Sequence, residues 1–75
     1  MNKVYRKCPL CGEQHYIELS NEQCRKLFEY EHGNGYIQEV FPELDKFERE
    51  FVKTGYCSKC QEEIFGAKKE KEYSF

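Results

Sequence analysis

The sequence contains no tryptophan, one methionine and only two prolines. It has no apolar run near the ~20 residues that a membrane-spanning helix requires. Its first residues include Lys3, Arg6 and Lys7 but no apolar segment, so we expect no secretory signal there. We therefore expect a cytoplasmic protein without a membrane partner, in which the cysteines stay reduced.

A strong excess of positive charge is also missing. The formal net charge is −2, whereas domains that bind nucleic acids are typically basic. The charge is unevenly placed, however, because Lys3, Arg6 and Lys7 lie beside the first cysteine pair. A nucleic-acid partner is therefore the less favoured class, although a local basic patch keeps it open.

The chain is short, with 75 residues. A domain of this size buries a small core and usually needs a metal, disulfides or a partner for stability. Apolar residues make up 39% and charged residues 35% of the sequence, which is typical of a globular protein. Twelve aromatic residues, six Phe and six Tyr, are expected to fill most of the core. A homodimer that covers some of these aromatics is one arrangement that the sequence leaves open.

What the chain does have is two Cys-x-x-Cys pairs, Cys8–Cys11 and Cys57–Cys60. Four thiolates in two turns suit one tetrahedral Zn²⁺ with no coordination position left for a substrate, so we predict a structural zinc site. The two pairs are 45 residues apart, so helices must be inserted between them. Two redox-active pairs, a disulfide scaffold and an iron–sulfur cluster are the alternatives.

We do not expect the remaining cysteine and the two histidines to form a catalytic group. Cys24 is predicted to share a helix face with Leu27 and Phe28, which indicates a small core residue. His15 is a potential metal ligand, but the four other cysteines already complete a tetrahedral shell, and His32 precedes a turn. We predict that the protein is not an enzyme and has no catalytic residue.

Local patterns predict the elements between and after the pairs. Residues 3–19 read as a strand, a turn containing the first pair and a returning strand. Two capping boxes, Ser20 with Gln23 and Asp45 with Glu48, predict helices over about 21–31 and 46–53. We also expect Gly33-Asn34-Gly35 to end the first helix and one helical turn to stop before Pro42. A short helix over 61–67 is expected to bury Ile64 and Phe65.

A longer pattern links several of these features. Gly35-Tyr-Ile-Gln-Glu-Val-Phe-Pro-Glu-Leu44, the pair Arg49-Glu50 and Gly55-Tyr-Cys57-Ser-Lys-Cys60 follow the leading Cys8–Cys11 pair. This pattern resembles a family of very small, largely uncharacterised proteins of bacteriophages, prophages and other mobile elements. The resemblance implies metal ligands at both Cys-x-x-Cys pairs and, if the chain is phage-encoded, a location in the bacterial host cytoplasm. It implies no settled activity.

We therefore predict an α+β, zinc-ribbon-like domain over residues 1–67, in which two Cys-x-x-Cys turns share one zinc ion. Two to three short helices are inserted between and after these turns, and residues 68–75 form a charged, flexible tail. The expected function is a non-enzymatic module that binds a protein, such as a host factor, through residues Gln38, Arg49 and Glu50. The alternative is a nucleic-acid-binding zinc ribbon, associated with transcription or replication, that uses Lys3, Arg6, Lys7 and Lys59.

Overall fold

A computed structural model describes residues 1–33 and 35–75. It confirms a small α+β domain with one two-stranded antiparallel sheet and helices. The predicted turn around Asn34 lies partly outside the described residues. Within those ranges, no helix is both long and apolar enough to cross a bilayer. The elements are β1 (Asn2–Lys7), β2 (Gln14–Leu19), α1 (Asn21–Glu31), α2 (Ile37–Val40), α3 (Lys46–Thr54) and α4 (Ser58–Phe65).

The two strands form the predicted hairpin around the first cysteine pair. Val4 lies opposite Ile17 and Asn2 lies opposite Leu19 in the register. Ile17 and Leu19 are buried, with 4% and 0% of their surfaces exposed. Because side chains alternate along a strand, one face of the hairpin packs on the core and the other faces solvent.

Helix α1 begins where its capping box predicts. The Gln23 backbone N–H donates to Ser20 Oγ at 3.1 Å, and the Ser20 N–H donates to the Gln23 side chain at 2.9 Å. Leu27 is buried and Cys24 packs against the core, as predicted. Phe28 is the exception, because it is 62% exposed and its ring centroid lies 4.1 Å from that of His32. The prediction that Phe28 belongs to the buried face is therefore wrong.

The segment from α2 to α3 contributes several large apolar residues to the core. The single turn of α2 ends at Val40, before Pro42, as the restriction on residues preceding proline predicts. The capping box of Asp45 starts α3, which buries Phe47 and Phe51. Phe41, Phe51 and Leu19 are the largest apolar side chains with almost no exposed surface.

The segment 68–75 differs from the solvated tail that its composition predicts. It has no helix or strand, and residues 70–72 are exposed. Phe75, however, is only 5% exposed and belongs to the core, where its ring stacks on that of Phe51 with centroids 4.6 Å apart. The end of the described chain therefore packs with residues 1–67, and a boundary at residue 67 does not mark the limit of the core.

Helix α4 starts three residues earlier than predicted and shows a different face to the core. It begins at Ser58, immediately after Cys57. Ile64 and Phe65 were expected to be buried, but they are 46% and 55% exposed, whereas Gln61 is 2% exposed. The second cysteine pair is therefore presented by a helix and not by a second hairpin, so the two-turn zinc ribbon is not confirmed.

Candidate metal centre

The first cysteine pair is held by the turn between β1 and β2. The Cys8 N–H donates to the Glu13 carbonyl at 2.9 Å, and the Gly12 N–H donates to the Cys8 carbonyl at 2.9 Å. These bonds fold the segment between the strands back on itself. Cys8 and Cys11 therefore lie in the turn that closes the hairpin, on a backbone that is fixed by local hydrogen bonds.

The second pair reaches this turn because the chain passes very close to β1. Gly55 ends α3 with a φ of 91°, and a Cβ atom at this position would lie 3.2 Å from the Lys7 carbonyl oxygen. Two residues later Cys57 directly precedes α4, and Cys60 lies in its first turn. This close approach brings both members of the second pair beside the hairpin.

Four cysteines, one pair from each region, form a single cluster. The sulfurs of Cys8, Cys11, Cys57 and Cys60 all lie within 4.8 Å of one another, and Cys11 Sγ is 3.9 Å from Cys57 Sγ. Zinc–sulfur bonds of about 2.3 Å in a tetrahedron require sulfurs about 3.8 Å apart. The arrangement is compatible with one tetrahedral metal ion.

The electrostatics of the thiols also suit a cation. Burial raises the pKa of Cys8, but hydrogen bonds from the backbone of Cys11, Cys57 and Leu10 outweigh this effect and lower that pKa to about 6. For Cys60, the hydrogen bond with the Cys57 thiol and burial both raise the pKa. The Cys8 thiolate is thus favoured, whereas the Cys60 thiol resists ionisation beside it. A dication would relieve this repulsion and let all four sulfurs bind as thiolates.

Cys11 differs from the other three members of the cluster because it is exposed, whereas they are buried. A backbone hydrogen bond from Glu13 lowers the pKa of Cys11, but partial desolvation of its sulfur and the neighbouring thiols of Cys8 and Cys57 outweigh it and raise that pKa. The cluster therefore has a closed side that faces the protein and an open side at Cys11.

His15 is the residue near the cluster whose place the sequence did not reveal. Its Nε2 lies 3.8 Å from Cys11 Sγ, and Cys11, Glu13 and His15 form a second group of donor atoms within 4.8 Å of one another. Strand alternation could not have placed His15 beside Cys11, because Gly12 between them has a left-handed backbone with a φ of 74°. The sequence offers His15 as a potential ligand, but the count of four cysteines gives it no place in a single zinc shell.

The predicted protein-binding residues do not line one common cavity. Gln38 is exposed on α2 and lines a cavity of about 340 Å³ that Lys53 also borders. Glu50 lines a different cavity, of about 250 Å³, together with Phe65. Arg49, on α3, is half-buried and borders neither of these cavities. The three residues are therefore separate candidates.

The predicted nucleic-acid-binding residues divide in a similar way. Lys3 and Lys7 are exposed on the outer face of the hairpin. Arg6 alternates to the other face, where its guanidinium lies 3.6 Å from the Glu31 carboxylate. Lys59 lies in α4 beside the cysteine cluster, where it lines a cavity with Cys11 and Cys57.

Comparisons with protein-family models, with curated proteins and with solved structures found no match to the chain.

Proposed function

We propose that the protein is a zinc-stabilised interaction module that binds another protein through an apolar groove between α3 and α4. The metal identity rests on the donor set, because four thiolates from one protein chain form the usual closed shell of structural zinc. A closed shell leaves no position for a substrate on that ion. We therefore propose a structural role for the metal and a non-enzymatic role for the protein.

The main observation in favour of this docking surface is that α4 buries a polar side chain and exposes two apolar ones. Gln61 is 2% exposed on this helix, whereas Phe65 is 55% and Ile64 is 46% exposed. The Phe65 ring meets the half-buried Tyr56 ring edge-on, with centroids 6.4 Å apart. Exposed aromatic and aliphatic side chains that lie together typically mark a contact site for another macromolecule.

The groove beside Phe65 has the dimensions of a site for a side chain. Its cavity of about 250 Å³ is bordered by Phe47, Phe65 and Ala67, with Lys46 and Glu50 at its charged positions. Pockets for small molecules are usually larger, about 300–1,000 Å³. We propose that an apolar side chain of a partner protein enters the groove while polar groups of the same segment meet Lys46 and Glu50. If the resemblance to mobile-element proteins holds, this partner is a bacterial host protein.

The test combines metal analysis with affinity capture from a bacterial lysate. Purified protein should contain one zinc ion and no iron, and Cys60→Ser should lose that ion whereas Cys24→Ser should keep it. A captured protein should disappear with Phe65→Ala and remain with Tyr36→Ala, since Tyr36 is an exposed aromatic residue that does not line the groove. Equal capture by both variants, or recovery of nucleic acid alone, would contradict the proposed surface.

A specific arrangement favours nucleic-acid binding as the second candidate function. The hairpin register places Lys3, Tyr5 and Lys7 on the same outer face as Tyr16. Tyr5 is 52% exposed, its ring centroid lies 5.9 Å from that of Tyr16, and Lys3 Nζ lies 4.9 Å from the Tyr16 centroid. Aromatic rings beside lysines can stack bases and neutralise phosphates of a single strand.

A gel shift with single-stranded oligonucleotides distinguishes the two functions. Binding through this face should weaken as salt rises, and Tyr5→Ala should weaken it whereas Phe65→Ala should not. Absence of a shift at low salt would exclude the second candidate. The net charge of −2 is the reason that we place it second.

A further inference from the structure

The open side of the cysteine cluster carries donor atoms that a single four-thiolate site does not use. Cys11 Sγ, a Glu13 carboxylate oxygen and a His15 ring nitrogen all lie within 4.8 Å of one another. Cys11 and Glu13 are exposed, and His15 is half-buried. Thiolate, imidazole and carboxylate are the three protein ligand types that zinc accepts.

From this juxtaposition we infer a second cation site at Cys11, Glu13 and His15, in which the Cys11 thiolate bridges two divalent ions. The inference rests on the proposed zinc centre, because the first ion fills the four-cysteine cluster. The second ion would take one sulfur, one nitrogen and one carboxylate oxygen, with water completing a tetrahedron. Borderline divalent ions such as Zn²⁺ suit this mixed donor set.

The distances fit this geometry. Zinc–sulfur and zinc–nitrogen bonds of about 2.3 and 2.0–2.1 Å at a tetrahedral angle hold the two ligand atoms about 3.5 Å apart. Cys11 Sγ and His15 Nε2 are 3.8 Å apart, so a small rotation of the imidazole is sufficient. The backbone of the turn is already fixed, since the Glu13 carbonyl accepts the Cys8 N–H at 2.9 Å.

The local charge provides the attraction. Four thiolates around one dication keep a net charge of about −2, and the exposed sulfur of Cys11 presents this charge to solvent. A cavity of about 290 Å³ opens at this position, and among the described residues its lining includes two carboxylates, those of Glu13 and Glu63, and one cation, Lys59. Arg6, which lies opposite His15 in the sheet, is paired with Glu31 at 3.6 Å.

The experiment is a metal titration of the full chain that already holds one zinc ion. Calorimetry with added Zn²⁺, together with native mass spectrometry, should show a second ion that binds more weakly than the first. His15→Gln and Glu13→Gln should each lower the affinity for the second ion by at least about tenfold, while the first ion stays bound. The matched controls His32→Gln and Glu72→Gln change an exposed histidine and an exposed acid outside the group and should still bind two ions.

The number of ions bound per chain distinguishes a failure of the second site from a failure of the proposed four-cysteine zinc centre. One ion in every variant, with no second binding up to about 1 mM free Zn²⁺, would overturn the second site and leave the structural centre intact. A second ion that persists unchanged in His15→Gln would overturn the assigned ligands. A chain that holds no ion at all would overturn both. If His15 only donates a hydrogen bond to Cys11, the count stays at one.

Discussion

Gln61 occupies a place in α4 where an apolar residue would ordinarily face the core. Its side-chain amide donates to the Phe47 carbonyl at 3.0 Å and to the Tyr56 carbonyl at 2.9 Å. A buried polar group is stabilising when it is hydrogen-bonded and costly when it is not. The glutamine thus links the end of the α3–α4 connection to the start of α3 through two backbone oxygens.

We expect Gln61→Leu to destabilise the protein by about 2–4 kcal/mol, because the carbonyls of Phe47 and Tyr56 each lose a hydrogen bond from this amide. Urea unfolding followed by circular dichroism measures the free energy of unfolding. The control Gln38→Leu changes an exposed glutamine and should alter it by less than about 0.5 kcal/mol. Equal effects of the two substitutions would mean that the amide of Gln61 has no structural role.

Gly55 sets the distance between the end of α3 and β1. An alanine here would require a left-handed backbone and would place Cβ 3.2 Å from the Lys7 carbonyl oxygen. Gly66 provides the matched control, because its φ is also positive, at 67°, and a Cβ there has no neighbour within 4 Å. The two positions therefore separate backbone strain from steric contact.

Gly66→Ala should cost about 1–2 kcal/mol, the ordinary penalty for a left-handed alanine. Gly55→Ala should cost more and should also weaken metal binding, because the hairpin and the second cysteine pair are forced apart. Thermal unfolding and a competition assay with a zinc chelator measure the two effects. The same metal affinity in both variants would show that the close approach does not position the cysteines.

At the level of the elements, sequence patterns located the starts of two helices and misplaced a third. Ser20 and Asp45 marked α1 and α3 correctly because capping boxes are local: the side chain and the backbone group that it satisfies lie within three residues. Helix α4 lacks such a signal, since the preceding Cys57 makes no side-chain capping bond. A Cys-x-x-Cys pair is compatible with a turn or with the first turn of a helix, and spacing alone does not distinguish them.

The faces of the helices were harder to predict than their positions. Phe28, Ile64 and Phe65 are apolar residues with helical spacing, and the sequence therefore predicts burial. Their exposure depends on which neighbouring elements are present to cover them, a property of the tertiary arrangement. The cluster of the four cysteines, in contrast, could be predicted from the sequence. Metal coordination requires a specific set of donor atoms, so two distant Cys-x-x-Cys pairs indicate one common site.

Helix α3 depends on a cap that also contacts the chain end. The Asp45 carboxylate accepts the Glu48 N–H at 2.9 Å and the Tyr73 hydroxyl at 2.6 Å, and Lys71 Nζ lies 3.5 Å away. Burial raises the pKa of Asp45, but the hydrogen bond from Tyr73, the bond from the Glu48 backbone and the charge of Lys71 outweigh it, so that the pKa is lowered.

Asp45→Ala should therefore cost about 1–2 kcal/mol at neutral pH through loss of the cap. Because the pKa is lower in the folded state, the carboxylate stabilises the protein fully above its unfolded pKa of about 3.9 and loses this effect as pH falls through the folded value. The stability difference between wild type and Asp45→Ala should shrink over that acid range. Asp45→Asn keeps the capping hydrogen bond, so it should lose only the pH-dependent part of the stability. A stability difference between wild type and Asp45→Ala that does not vary with pH would contradict the role of the charge.

For the whole molecule, Phe75 at the end of the described chain belongs to the core. Phe75 stacks on Phe51, and its carbonyl oxygen accepts the Ser58 N–H at 3.3 Å. Composition did not indicate this packing, because Tyr73 and Phe75 follow a run of five charged residues from Lys68 to Glu72. A single aromatic residue can anchor a charged segment, and no periodic pattern reports it.

Phe75→Ala should destabilise the protein by about 3–5 kcal/mol, as for other buried phenylalanines. This is a large share of the roughly 5–15 kcal/mol available to a small domain. Glu72→Ala, an exposed neighbour, is the control and should change the free energy of unfolding by less than about 0.5 kcal/mol. If both variants unfold like the wild type in urea, the segment is solvated, as its composition suggests.

Metal removal should affect the whole fold, because the cysteine cluster joins the hairpin, near the start of the sequence, to α4, near its end. In a domain this small, the proposed zinc ion would supply folding free energy on the order of 10 kcal/mol, and without it the buried thiols of Cys8, Cys57 and Cys60 would have no common partner. A strong chelator should therefore abolish the helical circular dichroism, and Cys60→Ser should resemble the chelated wild type. Cys24→Ser should behave like the untreated protein, because Cys24 packs against the separate apolar core. The contrary outcome is a native spectrum from protein that is metal-free by elemental analysis. It would mean that the apolar core alone holds the hairpin and α4 together.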